Sequence, residues 1–137
     1  MKADAETEEA ILALLGAFSD SFSKQDVEGA LGLFATDAEV VMMGSEDWEM
    51  GVGRENIRVV FKRLLSRRET YRWEWKWHIL AESGSVAWVL AKGECHTRAG
   101  KTETVSPYRL SGVFEKRGDR WHWVLFHGSE PMPAAKE

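Results

Sequence analysis

The sequence predicts an α+β fold with three helices first and an antiparallel sheet after them. Two observations carry the prediction. Apolar residues recur every three or four positions through the first half of the chain and at every second position from Thr70 onward, the spacings of helices and of strands. Short glycine-containing dividers, Ser83-Gly84-Ser85, Ala99-Gly100-Lys101 and Arg117-Gly118-Asp119, then cut the second half into runs that should pair as consecutive hairpins. Helices in one block and a meander in the other gather the helices on one side of the sheet.

The first helix is expected over roughly residues 5 to 24, where Ile11, Leu14, Leu15, Phe18 and Phe22 make one apolar stripe behind an acidic first turn. Asp26 can cap a second, short helix carrying Val27, Ala30, Leu31 and Phe34. Glu39 to Met43 reads as a brief strand. Residues 44 to 53 combine three glycines with three acids and Trp48, a composition that suits a loop. Trp48 there is either part of a lid or folded back onto the core, because a large ring is costly to leave in water. The third helix runs from Arg54 to Arg68 with Ile57, Val60, Phe61, Leu64 and Leu65 on one face. Strands follow at about 70 to 81, 85 to 98, 101 to 116 and 120 to 129.

The first of these strands is the most distinctive. Tyr71, Trp73, Trp75, Trp77 and Ile79 alternate with Arg72, Glu74, Lys76 and His78, which on a regular strand puts the rings in one row on a buried face. Three indoles in a row suit a curved sheet wrapped around helices or a cavity. In the last strand His122, Val124 and Phe126 alternate with Trp121, Trp123 and Leu125, so both faces are largely apolar. One face can cover the helices while the other meets a second subunit, and a homodimer through the sheet is expected.

A chain of 137 residues is the usual size of one domain, expected over 1–137 with residues 1–4 and 131–137 loose. No stretch approaches the roughly 20 apolar residues of a membrane helix, and the acidic N-terminus does not read as a targeting segment. A cytoplasmic protein without membrane association is therefore expected. The net charge of −4 argues against nucleic-acid binding, which needs clustered positive charge. The single cysteine, Cys95, excludes an intrachain disulfide, and its phase with Ala87, Val89 and Ala91 makes it a packed small residue.

The element order, together with the strings Asp26 to Ala38, Gly53 to Phe61, Val86 to Val89, Tyr108 to Trp121 and Phe126 to Ser129 with Pro131, resembles the nuclear-transport-factor-2-like (NTF2-like) superfamily and its SnoaL-like branch. The resemblance covers nearly the whole chain. It implies a cone in which three N-terminal helices pack on a strongly curved sheet around a cavity, and fold alone does not choose among the superfamily's activities. Ketosteroid isomerases of this superfamily use a tyrosine on the first helix, an aspartate base after the second and a protonated aspartate on a later strand. Aligned on Phe34 to Ala38, this chain has Phe18 and Met42 at the first two of those places. Neither side chain can transfer a proton, so a steroid-isomerase mechanism is not expected.

The remaining chemistry rests on residues that alternation directs toward such a cavity. His127, which matches a histidine of the SnoaL-like C-terminal strand, is the candidate acid-base, since imidazole titrates near neutrality; the alternative is a histidine satisfied by one hydrogen bond. Arg109 and Glu94 are candidate polar ligand contacts, and Arg109 could equally pair with Glu94 or Glu103 across strands. Trp48, Trp73, Trp75, Trp88 and Tyr108 are the candidate aromatic contacts. Glu46, Asp47 and Glu49 are expected to face solvent. His78, His96, His122 and His127 lack metal-site spacing along the chain, no nucleophile elbow surrounds a serine, and no phosphate-cradling loop is present. Neither metal nor cofactor is expected. The chain therefore reads as a binder of a small apolar or aromatic molecule, as an isomerase, cyclase or hydrolase using His127, or as a non-catalytic association domain.

Overall fold

Helix α1 (Ala5–Ser23) begins where Asp4 accepts a hydrogen bond from the Thr7 backbone N–H at 2.8 Å, satisfying one of the free donors of the first turn. Asp26 does the same for α2 (Val27–Leu31) through Gly29 N–H at 2.9 Å. The computed structural model describes residues 1–135. Within them the chain continues through β1 (Val41–Met43), β2 (Met50–Val52), α3 (Arg54–Leu65), β3 (Thr70–Ser83), β4 (Val86–Ala99), β5 (Thr102–Arg117) and β6 (Arg120–Ser129). The stripes on α1 and α3 are buried as the periodicity requires.

The six strands form one sheet in the order β2-β1-β6-β5-β4-β3. It is mixed rather than purely antiparallel: β1 runs parallel to β6, with Met42 opposite Phe126, while every other neighbour is antiparallel. The segment expected to be a loop is a hairpin, since β2 folds back on β1 with Met42 opposite Gly51. Residues 1–4, expected to be loose, run beside β3. Lys2 bridges Ala81, Ala3 N–H donates to Leu80 O at 3.1 Å, and Ala3 is buried. At the other end Pro131 to Ala135 have no regular structure, and the rest of the tail expected to be loose lies outside the described residues.

Two β-bulges decide which side chains face the helices. In β3 the register slips between Trp75, opposite Gly93, and Trp77, opposite Lys92, leaving Lys76 as the extra residue. An extra residue inverts the alternation beyond it and bends the strand. Tyr71, Trp73 and Trp75 therefore pack against the core, whereas Trp77 and Ile79 turn outward and stand 45% and 53% exposed. This corrects the single row of five inward residues. Glycine at 93 permits the slip, because a Cβ there would collide with the Glu74 carbonyl.

A second slip in β6 pairs Val113 with Leu125 but Phe114 with Trp123, which leaves Val124 extra. Trp123 and Phe126 are consequently both buried while Leu125 faces out, correcting the grouping of Trp121, Trp123 and Leu125 on one face. The core joins Phe18, Phe22, Phe34, Phe61, Trp123 and Phe126 to the inner residues of the sheet. No helix among the described residues is long and apolar enough to cross a membrane.

Candidate functional site

Between α1, α3, the β1–β2 hairpin and the inner face of the sheet lies a cavity of about 330 Å³. An engineered cavity of ~150 Å³ takes up benzene, so there is room here for a two-ring molecule. The wall is apolar, built by Phe18 and Phe22 of α1, Phe61 and Leu64 of α3, Trp73 of β3 and Phe126 of β6. Phe18 lies at the junction, its ring centroid 4.7 Å from Phe22, 5.0 Å from Phe126 and 5.7 Å from Trp73, within the range where aromatic pairs attract beyond simple burial.

The mouth is polar. Arg67, just beyond α3, forks onto Glu46 with Nη1–Oε2 at 2.6 Å and Nη2–Oε1 at 2.9 Å, a bidentate, charge-assisted arrangement. The same Nη1 donates to Tyr71 Oη at 3.0 Å, and Tyr71 donates to Glu69 at 2.8 Å. Trp48 donates from Nε1 to Glu46 at 3.2 Å and lies under the Arg63 guanidinium, 3.8 Å from the ring centroid. These contacts clasp the β1–β2 hairpin to the end of α3, with Trp48 packed on the edge of the core.

Inside that clasp two carboxylates meet opposite fates. Hydrogen bonds from Arg67 hold Glu46 down at about 2. Glu49 is only 7% exposed; burial, reinforced by the negative charge of Glu46, pushes it up to about 7. Its backbone is fixed by Glu49 N–H to Glu46 O at 2.9 Å and Gly44 N–H to Glu49 O at 2.8 Å. Gly44 leaves space that the Glu49 carboxyl fills, because a Cβ at 44 would collide with Oε2. The expectation that Glu49 faces solvent is therefore corrected. Tyr108 is buried in the same cavity, and burial raises its phenol well above the ordinary value. It remains a neutral donor. Burial likewise pushes the Cys95 thiol up to about 11, which keeps it protonated and a poor nucleophile. Trp73 adds an indole whose buried Nε1 makes no hydrogen bond among the described residues.

The structure divides the residues singled out from the sequence. Trp73 and Tyr108 line the cavity, Trp75 packs on Tyr108 with centroids 6.2 Å apart, and Trp48 sits at the rim. His127, Arg109, Glu94 and Trp88 do not join them. His127 is exposed opposite Ser111, flanked by the inward Phe126 and Gly128; the bulge at Val124 has turned it to the outer face, correcting its placement at the cavity. Arg109 pairs with Lys92 across strands and is exposed. Glu94 lies opposite Glu74, and Trp88, 39% exposed, lies opposite Ala81 and Val113. Glu94, Glu74 and His96 do bring three ligand atoms within 4.8 Å of one another, a cluster made by cross-strand pairing and invisible as spacing along the chain.

The residues missed are Glu49, Glu46 and Arg67. The available signal was an acidic segment held between Gly44 and Gly51, which marks unusual backbone without telling which carboxyl turns inward.

A family model described as a SnoaL-like domain matches residues 11–134. No curated protein matches. Among solved structures, an NTF2-like family protein from Streptomyces avermitilis, provisionally named a dehydratase, superposes with a TM-score of 0.82 at 17% identity, covering 95% of this chain and 100% of that one. A protein from Novosphingobium aromaticivorans, provisionally named an aromatic ring hydroxylase, gives 0.82 at 15% identity over 96% of this chain and 94% of that one. A third from Xanthomonas campestris, provisionally named a calcium/calmodulin-dependent protein kinase II association domain, gives 0.75 at 20% identity over 96% and 91%. Identities this low establish a shared NTF2-like α+β fold, and three different names on one fold leave the activity to the site.

Proposed function

The chain belongs to the SnoaL-like domain family, and from that premise we propose that its cavity binds a small, largely aromatic molecule bearing an oxygen atom and that Glu49 exchanges a proton with it. One observation carries the reading: a carboxyl raised to about 7 stands in an aromatic-walled cavity beside a buried phenol. A group that titrates near neutrality is half-loaded for proton transfer in either direction. Tyr108 donates a hydrogen bond to the ligand oxygen, and the Glu49 carboxylate takes a proton from the carbon next to the carbonyl, leaving an enol-like species that it reprotonates. Glu46 keeps its negative charge throughout because Arg67 holds it.

Titration with one- and two-ring phenols and ketones should quench Trp73 fluorescence. For a bound ketone, exchange of the adjacent C–H in deuterated water, followed by NMR, should be lost in Glu49→Gln while affinity persists. Exchange that survives in Glu49→Gln would remove the proton role, and silence across the whole panel would remove the cavity reading.

A second reading is supported by the outer face. Trp77, Ile79, Trp88, Leu90 and Leu125 are all exposed there, and the register puts Ile79 beside Leu90 and Val113 between Trp88 and Leu125. A contiguous apolar patch on a sheet is an association surface, and we propose that two copies pair through it. Sedimentation equilibrium at micromolar concentration should report a dimer that Trp88→Glu converts to a monomer.

A further inference from the structure

The outer face also carries a second constellation, at the other end of β3 and β4. Glu74 and Glu94 face each other across the two strands, with His96 next along, opposite Arg72. The His96 ring is oriented from behind: Nδ1 lies 2.8 Å from Glu103 Oε1, and a carboxylate can only accept, so the proton sits on Nδ1. Arg72 Nη2 approaches the same pair, 3.2 Å from Nδ1 and 3.4 Å from Glu103. In the neutral ring this tautomer leaves a lone pair on Nε2.

That lone pair is in an unusual place. The His96 side chain is only 10% exposed, and Nε2 makes no hydrogen bond among the described residues. Yet Glu74 Oε2 lies 2.7 Å from it and Glu94 Oε1 3.6 Å. With the ring neutral, three electron-rich atoms converging at such distances repel one another, and a positive charge among them, whether a second ring proton or a metal ion, turns the repulsion into attraction. Lys76 Nζ stands 3.7 Å from Glu94 and 4.0 Å from Glu74, too distant for hydrogen bonds, and supplies only part of that charge.

We propose that Glu74, Glu94 and His96 bind a divalent transition-metal ion of the zinc class. Tetrahedral zinc with nitrogen and oxygen ligands sets neighbouring ligand atoms about 3.4 Å apart. The His96–Glu94 separation already meets this, and Glu74, with 46% of its side chain exposed, can withdraw by the small amount required. Glu103 acts as the carboxylate that fixes a metal-bound histidine from its far nitrogen. An imidazole ligand favours zinc, cobalt or nickel over magnesium and calcium. The remaining coordination positions open outward and take water. The site is on the face opposite the cavity, so it stands independently of the proton-transfer reading.

Cobalt titration of the tag-free protein tests this, with visible d–d absorption and equilibrium dialysis as readouts. One saturable ion per chain in the micromolar range is expected, competed by zinc and not by magnesium. His96→Ala should abolish saturation, Glu74→Gln and Glu94→Gln should each weaken it at least tenfold, and Glu103→Gln should cost roughly 10-fold through loss of ring orientation. His127→Ala should change nothing. Should His96→Ala misfold, the two glutamine variants carry the test, since they keep size and shape. Failure to saturate at millimolar cobalt, or saturation untouched in Glu74→Gln and Glu94→Gln, would overturn the site.

Discussion

The two faces of strands β3 to β6 use the same residue types to opposite ends. On the inner face Trp123 and Phe114 are fully buried, with ring centroids 4.2 Å apart; on the outer face Trp77 and Trp88 stand in the open. The carboxylates differ in the same way. Glu49, inside, is raised because burial removes water. Glu103, outside, is lowered because His96, Arg72 and Arg98 surround it. A carboxyl becomes a proton carrier near neutrality only where water is excluded and no cation replaces it. The proposed proton transfer therefore belongs to the inner face, and the proposed pairing and ion binding to the outer one.

Substitution of tryptophan gives the largest test of this contrast. Trp123→Ala should lower unfolding free energy by about 4 kcal/mol, the loss typical of deleting a large buried ring. Trp88→Ala, 39% exposed in the single chain, should cost about 1 kcal/mol when unfolding is followed at a concentration where the chain is monomeric. Urea unfolding of both variants measures the difference, and equal losses would break the comparison.

The buried carboxyl comes next in size. Glu49 binds its proton more tightly in the folded chain than in the unfolded one, with a value of about 7 against an ordinary 4.5. Its contribution to stability is therefore complete below about pH 4.5 and disappears as the pH rises through about 7. The span corresponds to on the order of 3 kcal/mol. Glu49→Gln cannot titrate, so the stability of wild type minus variant should fall by that amount between about pH 3.5 and about pH 8.5. A difference that stays flat would place Glu49 in water.

A smaller effect is expected at the bulge that separates the faces. Gly93→Ala sets a Cβ against the Glu74 carbonyl and the Trp75 Cα, backbone atoms that cannot step aside, and should cost about 2 kcal/mol. If the variant is as stable as wild type by urea unfolding, the slip at Lys76 is not held by this contact.

These tests also mark how far the sequence could be read. The period change at Thr70, the stripes of α1 and α3 and the three glycine turns appear in the structure within a few residues of where the spacing puts them, because each is a repeated signal. The face assignments failed beyond Lys76 and Val124, because a bulge is one residue long and inverts everything after it. Trp73 and Tyr108, which reach the cavity, do not depend on either inversion. Glu49 was missed for a different reason: its burial depends on the hairpin of β1 and β2 and on the space beside Gly44, both made by the folded chain.

The smallest expected effect is the sharpest on function. His127 and Arg109 both lie exposed on the outer face, His127 across from Ser111 and Arg109 across from Lys92 and Ser129. Exposed substitutions away from packed features shift stability by less than about 0.5 kcal/mol. His127→Ala and Arg109→Ala should therefore leave both unfolding free energy and ligand affinity at the wild-type level, while Glu49→Gln changes proton exchange. Fluorescence titration of the three variants with one ligand makes the measurement. A loss of affinity in His127→Ala would mean that the strand after Val124 presents its other face to the ligand, and the assignment of inner and outer faces in β6 would have to be reversed.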